Sequence, residues 1–225
     1  NMNTSTRQTY QNLQQLRSEI GNKFPGVCLE SGAQYRQQNK LTFEIPLLDD
    51  FLKGGLPFGK VTELGMPLGK EGRSLLVTLL AHHQTQAQKP FRVLWISCFP
   101  GISIYPPAWF IRGVSEKDTI FTYSEKPIVE LKRAIIHSFF NMIILDAPRG
   151  FTRDDSLFLS TQAKKNKQVI ILVRDFFLSN LKGNIWAQLR LNCWRRPHKH
   201  EFVIRVVRGL PSGEIRLKES LICSS

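Results

Sequence analysis

The residues best suited to chemistry lie in a glycine-rich loop, GMPLGKEGRS at positions 65–74, between a short apolar strand and a leucine-rich helix. In such a loop, backbone N–H groups and the helix N-terminus hold a phosphate, a lysine reaches the outer phosphates, and a serine or threonine hydroxyl holds magnesium. The loop therefore indicates nucleotide binding. Its candidate residues are Gly65, Gly69, Lys70, Gly72, Arg73 and Ser74.

Neither registration of this loop fits the pattern G-x-x-x-x-G-K-S/T. Three residues separate Gly65 from Gly69, and Glu71 follows the next lysine; six residues separate Gly65 from Gly72, and Arg73 then stands where lysine belongs. We prefer the second registration because it keeps glycine, a basic residue and serine directly before the helix. The planar fork of arginine does not fit the position of an ammonium group, and Glu71 places a carboxylate near the phosphates. Two alternatives stay open: a weakened site for ATP and Mg²⁺, and a loop that only turns the chain.

A carboxylate ends the apolar strand at residues 142–145. Asp146 in that position can hold magnesium through water, with Ser74 as a further ligand if nucleotide binds. The alternative is a strand-end aspartate that caps the next turn. No pairing of side chains predicts nucleophilic catalysis, so we assign no catalytic residue.

The net charge of +13 indicates a polyanionic partner. Residues 161–225 hold 13 basic and 4 acidic side chains, so they supply nine of the 13 excess charges. Interleaved aromatic residues such as Phe176, Phe177 and Trp194 are typical of a surface that binds single strands by stacking. The alternatives are a solvated helix end for the lysines and a core or protein-interface position for the aromatic residues. The candidate DNA-binding residues are Arg149, Arg153, Lys164, Lys165, Lys167, Arg174, Lys182, Arg190, Arg195, Arg196 and Lys199.

Short apolar segments alternate with helical patterns through the middle of the chain, which predicts a parallel sheet covered on both faces. After residue 186, alternating apolar and polar residues predict antiparallel strands at the edge of that sheet. The expected strands are 60–64, 92–97, 142–145, 169–173, 189–194, 201–208 and 214–218, and the expected helices are 74–87, 128–139 and 156–165.

The N-terminal region predicts a separate amphipathic helix over residues 5–23, because Tyr10, Leu13, Leu16 and Ile20 recur at helical spacing. The helix either folds back on its own domain or docks on a neighbouring copy. We therefore divide the chain into a helix and linker arm at 1–45, a core domain at 46–220 and a tail at 221–225.

Cysteine usage and hydropathy exclude several classes of protein. The four cysteines lie far apart, without the spacing of a disulfide framework or a metal site, which favours a reducing, cytoplasmic compartment. No apolar run approaches the roughly 20 residues that span a bilayer, so we expect no membrane association.

Residues 47–65, LLDDFLKGGLPFGKVTELG, resemble the segment that leads into the nucleotide loop of the bacterial RecA recombinases. Residues 106–114 resemble the RecA helix whose aromatic residue packs on adenine, with Trp109 beside that position. Asp146 matches the magnesium-linked acid, and residues 182–196 resemble the end of the second DNA-binding loop and the strand after it. The resemblance implies a RecA-like α/β core with a mostly parallel sheet flanked by helices, antiparallel C-terminal edge strands and an N-terminal helical arm. It adds Trp109 to the candidate nucleotide site.

The chain departs from RecA where ATP hydrolysis needs its groups. CFPGIS follows the strand at 92–97 in place of an activating glutamate, and Arg174 and Asp175 replace the Asn-Gln pair that senses the γ-phosphate. A RecA-like core with an altered loop and a basic C-terminal region is similar to the ImuA-type proteins of damage-induced mutagenesis cassettes. This resemblance implies a nucleoid-associated scaffold in translesion DNA synthesis with a DnaE-type polymerase. Its partners would be single-stranded DNA, an ImuB-type polymerase homologue and RecA, with self-association through the N-terminal helix.

Two other functions stay open. A DNA-dependent ATPase would hold ATP and Mg²⁺ with Arg73, Ser74 and Asp146, and would need another acid to activate water. The acids available for this role are Asp49, Asp50 and Asp175. A protein-interaction module, such as a SulA-like cell-division inhibitor, would use the positive charge only for solubility.

Overall fold

The computed structural model describes residues 40–86, 89–100, 104–184 and 186–222. The helix expected at residues 5–23 lies outside this described part. The strands within it are β1 (Lys40–Leu41), β2 (Leu56–Pro57), β3 (Lys60–Gly65), β4 (Val93–Ser97), β5 (Thr119–Tyr123), β6 (Met142–Asp146), β7 (Val169–Arg174), β8 (Leu189–Arg196), β9 (Glu201–Arg208) and β10 (Glu214–Lys218). The α-helices are α1 (Pro46–Phe51), α2 (Ser74–Gln86), α3 (Pro106–Ile111), α4 (Pro127–Glu130), α5 (Lys132–Ile136) and α6 (Arg153–Asn166).

Eight strands form one mixed sheet with the order β10-β9-β8-β3-β7-β6-β4-β5. Neighbouring strands from β8 to β5 run parallel, whereas β8, β9 and β10 pair in antiparallel fashion. The prediction of an α/β fold with a mostly parallel sheet, flanking helices and antiparallel C-terminal strands is confirmed. The sequence pattern misses β5, because Thr119 and Thr122 limit the apolar run of this edge strand to two consecutive residues. The single helix expected at 128–139 is instead the two short helices α4 and α5.

Both faces of the sheet are covered, as unbroken apolar strands require. Successive side chains of a strand point to opposite faces, so each central strand contributes to two cores. Helix α2 lies in the core that contains Leu64, Trp95, Ile144 and Ile171, whereas α6 lies in the core that contains Val61, Ile96, Leu145 and Leu172.

The folded core extends beyond the boundaries expected from the sequence. Leu41, Phe43 and Ile45 are buried in the same cluster as α2, and β1 pairs with β2. The amide of Phe43 donates to Asp49 Oδ1 at 2.7 Å. At the other end, Ile222 is fully buried. Residues 40–45 and 222 therefore pack with the core, because their apolar side chains cover the α2 face of the sheet.

The parallel strands bring several loops to one edge of the sheet. The carboxyl ends of β3, β4, β6 and β7 lie there side by side, so the glycine-rich loop, Asp146 and the segment after Arg174 are neighbours. None of the described helices combines the length and the hydropathy needed to cross a lipid bilayer.

Candidate functional site

Arg73 and Asp146 form a two-pronged ion pair at the carboxyl edge of the sheet. Arg73 Nε donates to Asp146 Oδ2 at 2.8 Å and Arg73 Nη2 donates to Oδ1 at 2.6 Å. Trp95 Nε1 donates to Oδ2 at 3.2 Å, and the carboxylate is fully buried. Hydrogen bonds of this charged, bidentate kind are roughly twice as strong as neutral ones. Protein donors thus bind both oxygens of the carboxylate that the sequence assigns to magnesium.

The glycines of the loop serve close packing against β8. A Cβ at Gly65 would lie 2.2 Å from Asn192 Oδ1, and a Cβ at Gly72 would lie 2.6 Å from the carbonyl oxygen of Cys193. Gly69, at φ +71, has open space around it. Two of the candidate nucleotide-binding glycines are therefore required by the fold itself, since any side chain there would collide with the neighbouring strand.

The loop forms consecutive turns that use some of its own N–H groups. Lys70 N donates to Pro67 O at 3.2 Å, and Ser74 N donates to Glu71 O at 3.1 Å. The Ser74 hydroxyl accepts a long hydrogen bond, 3.4 Å, from Arg112 Nη1. The Arg112 guanidinium therefore lies beside the hydroxyl that the sequence predicts to be a magnesium ligand, and its positive charge disfavours a metal cation there.

Arg195 ties the loop to the antiparallel end of the sheet. Its backbone N donates to Lys70 O at 2.8 Å, and its guanidinium donates to Glu71 at 2.5 Å and also pairs with Glu219. The hydrogen bonds to Glu71 and then Glu219 raise the pKa of Arg195 above its ordinary value. Glu71, unfavourable beside a phosphate, is favourable here because it faces a cation. Two carboxylates hold the guanidinium of Arg195, so the DNA contact that the sequence predicts for it would require these ion pairs to open.

Trp109, the expected adenine partner, belongs to an aromatic cluster. Its ring centroid lies 4.6 Å from that of Trp95 and 5.5 Å from that of Phe121. It is half-buried and packs against the core that contains α2. Trp109 therefore supports Trp95, which in turn donates to Asp146.

A second buried ion network lies one strand away and was missed by sequence reasoning. Glu63 is fully buried on β3 and accepts hydrogen bonds from Arg174 Nε at 2.8 Å and from Arg190 Nε at 3.0 Å. It also accepts from the backbone N–H of Asn184, at 2.7 and 2.8 Å to its two carboxylate oxygens. Arg174 Nη1 also donates to Pro148 O at 2.8 Å. The signal that could have found it is a glutamate inside an otherwise apolar strand, since a buried charge needs a partner.

This network includes two of the arginines that the sequence predicts to bind DNA. Arg174 is 7% exposed and Arg190 is 1% exposed, so neither guanidinium is presented to a phosphate. Their charges instead stabilise Glu63 and hold the segment between β7 and β8 against the sheet.

Several other predicted cations are exposed at the carboxyl edge, each beside an aromatic ring. The Arg149 guanidinium lies 3.8 Å from the centre of the Phe99 ring, and Lys182 Nζ lies 4.1 Å from that of Phe176. These residues belong to the segments that follow β4, β6 and β7, whose strand ends are adjacent. We call Phe99, Arg149, Phe176 and Lys182 the basic–aromatic surface.

The remaining cations are spread over both edges of the sheet. Arg196 lies 3.8 Å from Glu201, and Lys199 is exposed in the turn between β8 and β9. Phe177 and Trp194 pack on each other at 5.3 Å. The cations at the opposite, amino edge are Lys164 and Lys165 in the last turn of α6 and Lys167 after it.

No protein-family model matches this sequence, and no curated protein is significantly similar to it. Function must therefore be inferred from the residues and their geometry.

Proposed function

We propose that the chain is a catalytically inactive RecA-like scaffold that binds single-stranded DNA without hydrolysing ATP. The observation that carries this proposal is the ion pair between Arg73 and Asp146. It places Arg73, the cation of the candidate phosphate loop, against Asp146, the carboxylate that would hold magnesium. Arg73 is then not free to bind a phosphate, and Asp146 is not free to bind magnesium.

Displacing this pair with a nucleotide is costly. Removing one partner of a buried ion pair costs about 3–5 kcal/mol because the other charge stays buried. Arg73 would have to leave Asp146 before it reached a phosphate, and the Arg112 guanidinium beside Ser74 disfavours the accompanying Mg²⁺. The described loop geometry therefore favours the alternative in which the loop no longer serves nucleotide chemistry.

The carboxylates that an ATPase would need are placed unfavourably. Residues 98–103, after β4, contain none. Asp49 and Asp50 lie on α1, which packs against β10, and four strands separate β10 from β6 in the sheet. Asp175 lies 3.9 Å from Arg149. None of these three joins the network around Asp146.

The basic–aromatic surface supports DNA as the partner. Arginine and lysine above aromatic rings offer both phosphate attraction and faces on which bases stack, the combination used by proteins that bind single strands. Its segments after β6 and β7 lie where the resemblance to RecA implies DNA-binding loops. The role in translesion synthesis, the ImuB-type and RecA partners, association with the nucleoid and self-association through the N-terminal helix are parts of the same proposal and rest on that resemblance.

Calorimetry and DNA titration test the proposal on the full chain. We expect no heat of ATP–Mg²⁺ binding, no ATP turnover with oligo(dT), and DNA affinity that falls steeply with salt, by about 0.7 log unit per log unit of salt for each phosphate contacted. Arg149→Gln and Lys182→Gln should each reduce this slope, whereas Arg216→Gln, an exposed arginine on β10, should not. ATP turnover that DNA stimulates and Asp146→Ala abolishes would overturn the proposal, as would salt-insensitive or absent DNA binding.

A further inference from the structure

One face of α6 carries a row of side chains that are polar or cationic except for Leu157. Arg153, Leu157, Ser160, Thr161 and Lys164 follow one another at intervals of three or four residues, with Thr161 beside Ser160, so they share a face of the helix. Over these 11 residues the helix rises about 16 Å. The row therefore runs from the carboxyl edge of the sheet, where α6 begins, to the amino edge, where it ends.

An open cavity of about 310 Å³ lies at the Lys164 end of this row, by the amino edge of the sheet. Its wall is formed by Lys60, Ser160, Thr161, Lys164, Trp186 and Gln188, together with Gly59 and Val61. No carboxylate lines it. Within the described residues, neither Lys60 nor Lys164 has an acidic partner, so two lysines without a counter-charge line a cavity whose size is at the lower end of ligand pockets.

Trp186 gives this cavity an aromatic wall. Its side chain is 52% exposed, which is unusual for so large an apolar ring. Its backbone N donates to Asn184 Oδ1 at 3.1 Å, and Gln188 N donates to Val61 O at 3.0 Å, so hydrogen bonds hold the chain on both sides of the ring. The Arg153 guanidinium lies 6.0 Å from the ring centre, so the ring lies between the start of the row and the cavity.

We infer that this groove along α6 binds single-stranded DNA, with one base stacked on Trp186 and the adjoining phosphates held by Lys60 and Lys164. The inference rests on the proposed function and extends it to a surface outside the basic–aromatic surface. The stacking face requires an unpaired base, because the bases of a duplex are already stacked on each other. The two lysines supply charge for phosphates on either side of that base, and Ser160 and Thr161 line the same wall.

Charge substitutions on α6 test the phosphate contacts. We expect Lys60→Gln and Lys164→Gln each to lower the salt dependence of oligo(dT) binding by about 0.7 log unit per log unit of salt. Lys117→Gln is the control, since Lys117 is exposed, carries the same charge and does not line the cavity. Equal effects of Lys164→Gln and Lys117→Gln would overturn the inference.

Aromatic substitutions test the stacked base. Trp186→Ala should weaken binding of oligo(dT) by about 5- to 150-fold, the range that corresponds to one base–aromatic stack, whereas Trp186→Phe should retain most of the affinity. Fluorescence anisotropy with a labelled oligonucleotide measures both, and the unfolding midpoint shows whether each variant is folded.

The two proposals fail in different ways. If the wild type binds DNA but Lys60, Lys164 and Trp186 variants bind as it does, the groove is wrong and the scaffold proposal stands. If the wild type binds no DNA, both are wrong. Tighter binding of oligo(rU) than of oligo(dT) would overturn the choice of DNA as the ligand.

Discussion

The guanidinium of Arg73 lies across the carboxylate of Asp146, with Nε 2.8 Å from Oδ2 and Nη2 2.6 Å from Oδ1. Arg73 lies in the loop after β3, and Asp146 is the last residue of β6; β7 separates these two strands in the sheet. The pair therefore reaches across β7 and connects the glycine-rich loop to the end of β6. The pair holds the glycine-rich loop in place through Arg73, the cation that a working phosphate site would need in order to bind phosphate.

Arg73→Ala should lower the free energy of unfolding by about 3–5 kcal/mol, because it leaves the buried carboxylate of Asp146 with the Trp95 N–H as its remaining side-chain donor. Urea denaturation of the full chain measures this loss. Arg216→Ala removes an arginine of which 55% of the side chain is exposed and should change stability by no more than about 1 kcal/mol. Similar small losses in both variants would show that Arg73 contributes little to holding the loop.

Glu63→Gln should be at least as damaging, by about 3–5 kcal/mol, because two buried guanidiniums lose their counter-charge at once. Glu214 offers a matched control. It also pairs with two arginines, Arg205 and Arg216, whose side chains are more than half exposed, so Glu214→Gln should cost no more than about 1 kcal/mol.

The loop after β7 gives a second measurement of the Glu63 network. Because Glu63 also accepts from the amide of Asn184, Glu63→Gln should speed hydrogen exchange in residues 175–184. The same exchange rates in Glu63→Gln and in Glu214→Gln would contradict this role.

The strands could be predicted from sequence because a strand buried on both faces is a run of apolar residues, as at 142–145 and 169–173. The start of α6 at Arg153, three residues before the expected one, was also encoded: Thr152 and Asp155 form a reciprocal capping box. The three-residue spacing of Thr152 and Asp155 is a local signal that predicts a helix start at Arg153.

The partners of charged residues could not be predicted in the same way. Asp146 stands out as a strand-end acid, but nothing local shows that Arg73 neutralises it. Likewise, Arg190 is 127 positions from Glu63 in the chain. Sheet order and register decide these contacts, and neither is written in short-range spacing.

His83 should make stability depend on pH. Its Nε2 lies 2.7 Å from Thr42 O, and burial lowers the pKa of the imidazole from its ordinary value of 6.5, although the hydrogen bond to Thr42 opposes this shift. The unfolded chain then binds protons more readily than the folded chain just below pH 6.5. The contribution of neutral His83 is thus complete above pH 6.5 and is lost as the pH falls through the lowered pKa.

Urea denaturation at pH 5.0 and pH 7.5 measures this dependence. His83→Gln keeps a hydrogen-bond donor for Thr42 without an ionisable group, so its stability should vary less between the two pH values. An unchanged pH dependence in His83→Gln would assign the effect to other groups.

Cys98 and Cys193 should be unreactive in the folded protein. Burial raises the pKa of Cys98 to about 12, with the nearby Asp146 adding to the effect, and burial alone raises the pKa of Cys193. At pH 8 the thiolate fraction of Cys98 is then about 10⁻⁴, and thiolate is the reactive form. Peptide mapping after iodoacetamide treatment should find both residues labelled only in denaturant; rapid labelling under native conditions would show that the carboxyl edge opens.

Arg195 and Arg149 differ in their expected roles: Arg195 stabilises the fold, whereas Arg149 is available to bind DNA. Arg195 is held by Glu71 and Glu219, whereas 64% of the Arg149 side chain is exposed, with its guanidinium above the Phe99 ring. Arg195→Gln should lower the unfolding temperature, because it removes the ion pairs with Glu71 and Glu219, and should leave the salt dependence of oligo(dT) binding unchanged. Arg149→Gln should do the reverse: the unfolding temperature stays, and the salt slope falls by about 0.7 for the phosphate no longer contacted. Anisotropy titrations across a salt series decide between these outcomes, since a smaller slope for Arg195→Gln would mean that the Glu71 pair opens when DNA binds.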